Sequence, residues 1–221
     1  MTNSRYRTAI HEAGHAVMSI IKGCFVSELV ALDKADDDGC LGYCRHDKTD
    51  HWRDSVWIGL AGPIASAIHE GRDGWKTFRL GDFDDYNKAM NLYLDFLKPP
   101  LPRALEKIIG EDVSYTAELV LDGFYLPNIS APLKGKLTRF CKQHQRAMEF
   151  AGDLLRQEVK AIRETIENSP YFMPMTYAIA SELNRVSRMD TRALLTLFKS
   201  LSSQETERLS NSAPHRPGDQ Q

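Results

Sequence analysis

The sequence predicts a mainly α-helical domain that carries a small β-hairpin. Three observations lead there. Apolar residues at 9, 10, 13, 16, 17, 20 and 21 recur at the spacing of one helix face. Phe25 to Leu32 alternates like a strand, the Asp37-Asp38-Gly39 run is a turn signal, and Leu41-Gly42-Tyr43-Cys44 reads as the return strand. From about residue 50 onward the periodicity is helical almost without interruption.

The elements follow in order. A first helix is expected over about 5–22, with Ser4 or Thr2 at its start and Gly23 at its end. The hairpin comes next, its acidic tip at 36–38 best read as a solvated turn. Further helices are expected over about 51–69, 84–97, 102–121, 133–168, 173–186 and 190–201. Lys98-Pro99-Pro100-Leu101-Pro102 separates two of them, because proline disfavours helix at its own position and the one before. From about 203 the chain is rich in Ser, Gln, Pro and charge, the composition of a disordered polar tail.

Composition sets limits on function. With 221 residues the chain can bury a substantial core as one domain. Its 28 basic and 30 acidic residues leave a formal charge of −2, which gives no argument for nucleic acid or an anionic membrane. The apolar run from Val56 to Ile68 is shorter than a membrane span and is broken by Gly59, Gly62 and Pro63. Without a basic-then-apolar leader, the chain is expected to be soluble and cytoplasmic. Cys24, Cys40, Cys44 and Cys141 are expected to be reduced structural thiols. If Cys40 and Cys44 lie on one strand they are about 13 Å apart, too far to share a metal ion.

The chemistry concentrates in His11-Glu12-Ala13-Gly14-His15, an HExxH motif inside the first helix. Side chains four apart lie one above the other on a helix, so two imidazoles can share one zinc ion at about 2.0–2.1 Å each. Glu12, beside the first ligand, can accept a proton from water, the arrangement of a zincin-type metallopeptidase. Polar groups in an otherwise apolar helix need such a reason, since buried charge is costly unless paired or bound to metal. Gly14 adds a second signal: glycine inside a helix costs about 1 kcal/mol relative to alanine, which implies close approach by another backbone. The plainer alternative makes both histidines hydrogen-bonded core residues.

Such a site usually takes a third protein ligand and leaves a position for water. Met18 and Ile21 stand where a metzincin would have Gly and His, which excludes that subclass. The best acidic cluster is Gly81-Asp82-Phe83-Asp84-Asp85-Tyr86, at the expected start of the helix over 84–97. Aspartate is also the favoured helix cap, so any one of the three could serve only that end. His46, Asp47, Asp50, His51 and Asp54 read as solvated loop residues. His69-Glu70-Gly71-Arg72-Asp73 looks like a broken HExxH but reads as a helix end, given Gly71 and Gly74.

Taken together, these motifs resemble the peptidase domain of the FtsH family of ATP-dependent zinc proteases. That family writes its motif HEAGHA, which His11 to Ala16 matches letter for letter. Its LGY strand is matched by Leu41-Gly42-Tyr43, and its LxGxxAExxxxG helix in outline by Leu60 to Gly71. The resemblance implies that Asp85, aligned with the family's GAxxD segment, is the third zinc ligand. Met175 to Leu194 is similar to the family's closing helix pair, and residues 98–150 are least like it. The implied fold is an FtsH-peptidase-like domain over 1–202, followed by the tail at 203–221.

The resemblance further implies a zinc-dependent endopeptidase acting on unfolded or extended polypeptide, ATP-independent by itself. Glu12 would be the general base, with His11, His15 and Asp85 holding zinc. Substrate would lie along Leu41-Gly42-Tyr43, gripped through main-chain pairing to an edge strand, with Gly42 allowing close approach. The family's ATPase module has no counterpart here, since the chain contains no Gly-rich phosphate loop with Lys-Ser/Thr. A separate ATPase and a second copy of the chain are therefore candidate partners. The acidic pair that the family places after its alanine is Ser66 and Ala67 here. That change is the main support for a rival reading, a zinc-binding adaptor or regulatory protein without proteolysis. A metal-free helical interaction protein is the other rival.

Overall fold

The computed structural model describes residues 4–37, 39–73, 83–97 and 131–211. Helix α1 spans Ser4–Ile21. Strands β1 (Val26–Ala31) and β2 (Gly42–His46) follow, then helices α2 (Trp52–His69) and α3 (Phe83–Leu97). Helices α4 (Ala131–Asn168) and α5 (Phe172–Val186), strand β3 (Arg188–Asp190) and helix α6 (Thr191–Asn211) complete the described chain. The fold is thus mainly α, with one small antiparallel sheet. No helix among the described residues is long and apolar enough to cross a membrane.

Among the described residues, helix α1 is the central element. Ten consecutive or near-consecutive residues from Ala9 to Ser19 are buried, so its middle is enclosed on every side. It packs on α2, α5 and the sheet. The Gly14 signal has a direct cause: a β-carbon there would lie 2.8 Å from the Ala61 carbonyl oxygen and 3.0 Å from Gly62 Cα. Gly23 ends the helix in the left-handed region (φ 77°), and the Cys24 N–H returns to the Ser19 carbonyl.

The expected hairpin forms, with Leu29 opposite Cys44 and Ala31 opposite Gly42. It is part of a larger sheet, however. Strand β3 pairs with the other edge of β1, Leu29 opposite Met189, giving the order β2-β1-β3. Three residues between two helices are too few to show an alternation, so the sequence carries no signal for this third strand. Ser187, at φ 64°, turns the chain from α5 into β3, and its N–H bonds the Leu183 carbonyl.

Helix α6 continues to Asn211, ten residues beyond the expected end at 201. Gln204, Glu205, Glu207 and Arg208 are good helix formers, so the polar composition there does not by itself end a helix. Asp38, Gly74, Gly81, Asp82, the break at 98–102, the helix expected over 102–121 and residues 212–221 lie outside the described residues. Helix α2 ends at His69, with Gly71 at φ 64°, so the His69 to Asp73 segment is a helix end. Glu70 there pairs with Arg7 and Arg72.

Candidate metal centre

Helix α1 presents His11 and His15 one turn apart, their rings 4.7 Å between centroids and 75° between planes. Helix α3 brings Asp85 to them from its first turn. Asp85 Oδ2 accepts from His11 Nε2 at 3.0 Å and lies 3.5 Å from His15 Nε2. Among the described residues, these three form the His, Cys, Asp or Glu group whose ligand atoms lie within 4.8 Å of one another. Asp84, one residue earlier, is exposed and lines the same cleft without joining this group.

The donor set suits zinc. A tetrahedron with bonds of about 2.0–2.1 Å has edges of about 3.4 Å, close to the 3.0 and 3.5 Å that separate Asp85 Oδ2 from the two Nε2 atoms. His15 is also held in the required tautomer. Its Nδ1 donates to the Ile58 carbonyl at 2.7 Å, which aims Nε2 at Asp85. Pro63 in α2 cannot donate to the Gly59 carbonyl, and at the neighbouring carbonyl His15 supplies a donor from outside the helix. Gly62 leaves the space that the His15 ring fills: a β-carbon there would come within 2.4 Å of Nε2.

Without metal the three groups polarise one another. Burial works against charge at Asp85, but the hydrogen bonds from His11 and His15 outweigh it and hold the carboxyl well below its usual range. Burial likewise opposes charge on His15, yet Asp85, Glu12 and the Ile58 carbonyl push its pKa up to about 9. Glu12 is 7 % exposed, and burial raises its carboxyl pKa against the pull of both histidines. A raised carboxyl is one suited to accept and return a proton near neutral pH. The Cys44 thiol is pushed up by burial and by Glu12, so it is a poor nucleophile and ligand.

A cleft of about 1010 Å³ opens over this group. Leu41, Gly42 and Tyr43 line it together with Asp85 and Lys88. Leu41 is exposed just ahead of β2. The Tyr43 hydroxyl donates to Glu28 at 3.2 Å, and Arg45 lies over its ring. Gly42 serves an internal contact: a β-carbon there would meet Thr8 Cγ2 at 2.6 Å and Glu12 Cγ at 3.0 Å. Strand β2 pairs with β1 on one side only, so its outer edge is open among the described residues.

Some contributors carried little signal in the sequence. The Ile58 carbonyl is backbone and carried none. Lys88, with Nζ 3.9 Å from Asp85 Oδ1, stands three residues after Asp85 on one helix, a spacing that could have marked it. Ser66 lines the cleft on the same helix as Gly62, and Ala67 is buried. No protein-family model and no curated protein matches this chain. The resemblance to the FtsH peptidase therefore stands on its motifs.

Proposed function

We propose that this chain is a zincin-type zinc endopeptidase that hydrolyses peptide bonds in unfolded or extended polypeptides. One observation carries the reading: His11 Nε2, His15 Nε2 and Asp85 Oδ2 converge, with the buried Glu12 carboxyl beside them. Zinc bound by these three residues would supply Lewis acidity, polarising a scissile carbonyl and making water a stronger acid. Glu12 accepts the proton of the attacking water and returns it to the leaving nitrogen. The 1010 Å³ cleft receives the polypeptide, and the open edge of β2 offers main-chain pairing with little dependence on side chains. The FtsH-like motifs support the same assignment. A separate ATPase could deliver folded substrates, and self-association is consistent with that family.

The rival is a zinc-binding adaptor, favoured by Ser66 and Ala67 where the family has carboxylates. Against it, His15 already has an orienting partner in the Ile58 carbonyl. The test is metal content of the purified chain together with cleavage of unfolded casein, with Glu12→Gln as control. Near-stoichiometric zinc, and cleavage reduced at least ~10²-fold in Glu12→Gln, is the expected result. Zinc with no cleavage would favour the adaptor, and a folded chain that takes up no zinc would end both readings.

A further inference from the structure

Helix α3 carries Asp85, yet the segments on either side of it lie outside the described residues. Among the described residues it is placed by packing on α2 and α4. Asp85, Ala89 and Tyr93 recur at intervals of four on one side of α3, and the last two are almost fully buried. Tyr93 lies about 12 Å along the axis from Asp85 and touches no ligand.

The Tyr93 hydroxyl donates to Glu158 Oε1 of α4 at 2.8 Å. Glu158 is 3 % exposed. Its other oxygen accepts from Trp57 Nε1 at 2.7 Å, and Arg53 Nε also donates to Oε1. Trp57 and Arg53 belong to α2, where Trp57 adjoins Ile58, whose carbonyl orients His15, and Gly62 lies one turn beyond. One buried carboxylate thus joins the helix that seats His15 to the helix that carries Asp85.

Burial of a charge here needs a reason other than stability. An apolar side chain of similar volume often packs as well or better than a buried ion pair. What the carboxylate adds is direction, because its two oxygens accept from three donors in fixed places. From this we infer that Glu158, through Tyr93, is a positioning residue that sets α3 against α2 and so fixes Asp85 at metal-binding distance from His15. The inference rests on the metal-binding part of the proposed function.

The test uses the full chain with Tyr93→Phe, which removes only the hydroxyl, and Glu158→Gln. Ile166→Val is the control, a buried site on α4 two turns from Glu158. Zinc affinity is measured by competition with a chromophoric chelator, well below each melting temperature. The absorption spectrum of Co²⁺ bound in place of zinc reports ligand geometry independently of activity. Tyr93→Phe and Glu158→Gln are each expected to weaken zinc about tenfold and alter the Co²⁺ spectrum. Ile166→Val should lower the melting temperature and leave affinity and spectrum intact. Unchanged affinity and spectrum in both node variants would overturn the inference, as would equal weakening in the control. A folded wild-type chain that binds no zinc would instead remove the metal reading on which it rests.

Discussion

The His15 ring fills the space that a side chain at Gly62 would need. A β-carbon on Gly62 would lie 2.4 Å from Nε2 and 2.6 Å from Cε1. The ring cannot swing away freely, since its Nδ1 is committed to the Ile58 carbonyl. Gly62→Ala gains up to ~1 kcal/mol of helix propensity but forces overpacking that costs about 1–3 kcal/mol. It also pushes aside the Nε2 that faces Asp85. The expected outcome is a loss of zinc affinity of at least the ~10–100-fold seen when an outer partner is removed. Gly59→Ala is the matched control, because a β-carbon there meets nothing within 4 Å. It should raise thermal stability slightly and leave zinc binding alone. Equal zinc affinity in the two variants would contradict this packing.

Asp84 and Asp85 are neighbours in different surroundings. Both sit in the first turn of α3, where a negative charge is favourable by roughly 0.3–1 kcal/mol. Asp85 alone faces the histidines. Asp84→Ala should therefore cost only that small amount of stability and keep zinc. Asp85→Ala should leave two ligands and drop affinity beyond the range of an outer-partner loss. Zinc titrations of the two variants decide it, and a reversed order would assign the ligand to Asp84.

Much of this arrangement can be read from the chain, for physical reasons. The α1 helix was legible because its apolar spacing runs unbroken from Ala9 to Ile21, and Gly14 flagged its contact with α2 correctly. The hairpin was legible because alternation and a turn signal coincide. Strand β3 was not, being three residues long and dependent on an edge that β1 provides only after folding. Capping chemistry does not separate Asp85 from Asp82 and Asp84; the resemblance to the family's GAxxD segment is what singles out Asp85. The function of Gly42 was legible only as a close approach. Thr8 and Glu12 of α1 and the Val30 carbonyl of β1 approach it from within the fold.

The four cysteines should differ in reactivity. Cys40 is exposed, whereas burial and the Glu12 charge push the Cys44 thiol up. The thiolate is the reactive form, so an alkylating reagent near neutral pH should label Cys40 well before Cys44. Peptide mapping over a time course gives the order. Early labelling of Cys44 would mean that β2 does not stay closed on α1.

Proton release should accompany zinc binding. In the metal-free chain His15 is pushed up to about 9, above the ~6.5 of an unfolded histidine. Its contribution to folding is therefore complete below about 6.5 and is lost as pH rises through about 9. Asp85 is shifted the other way, so its contribution is present above about 4 and fades as pH falls below that. From these two groups alone, the metal-free chain should be most stable between about 4 and 6.5. Zinc reverses the upper limit, because it needs the Nε2 lone pair that the proton occupies. At pH 7 each zinc should then displace about one proton from His15, and apparent affinity should climb with pH toward 9. Calorimetry in two buffers of unequal ionisation heat measures that number directly. A value near zero would mean that His15 is already neutral in the metal-free chain, and that Asp85 and Glu12 do not hold the charge on it.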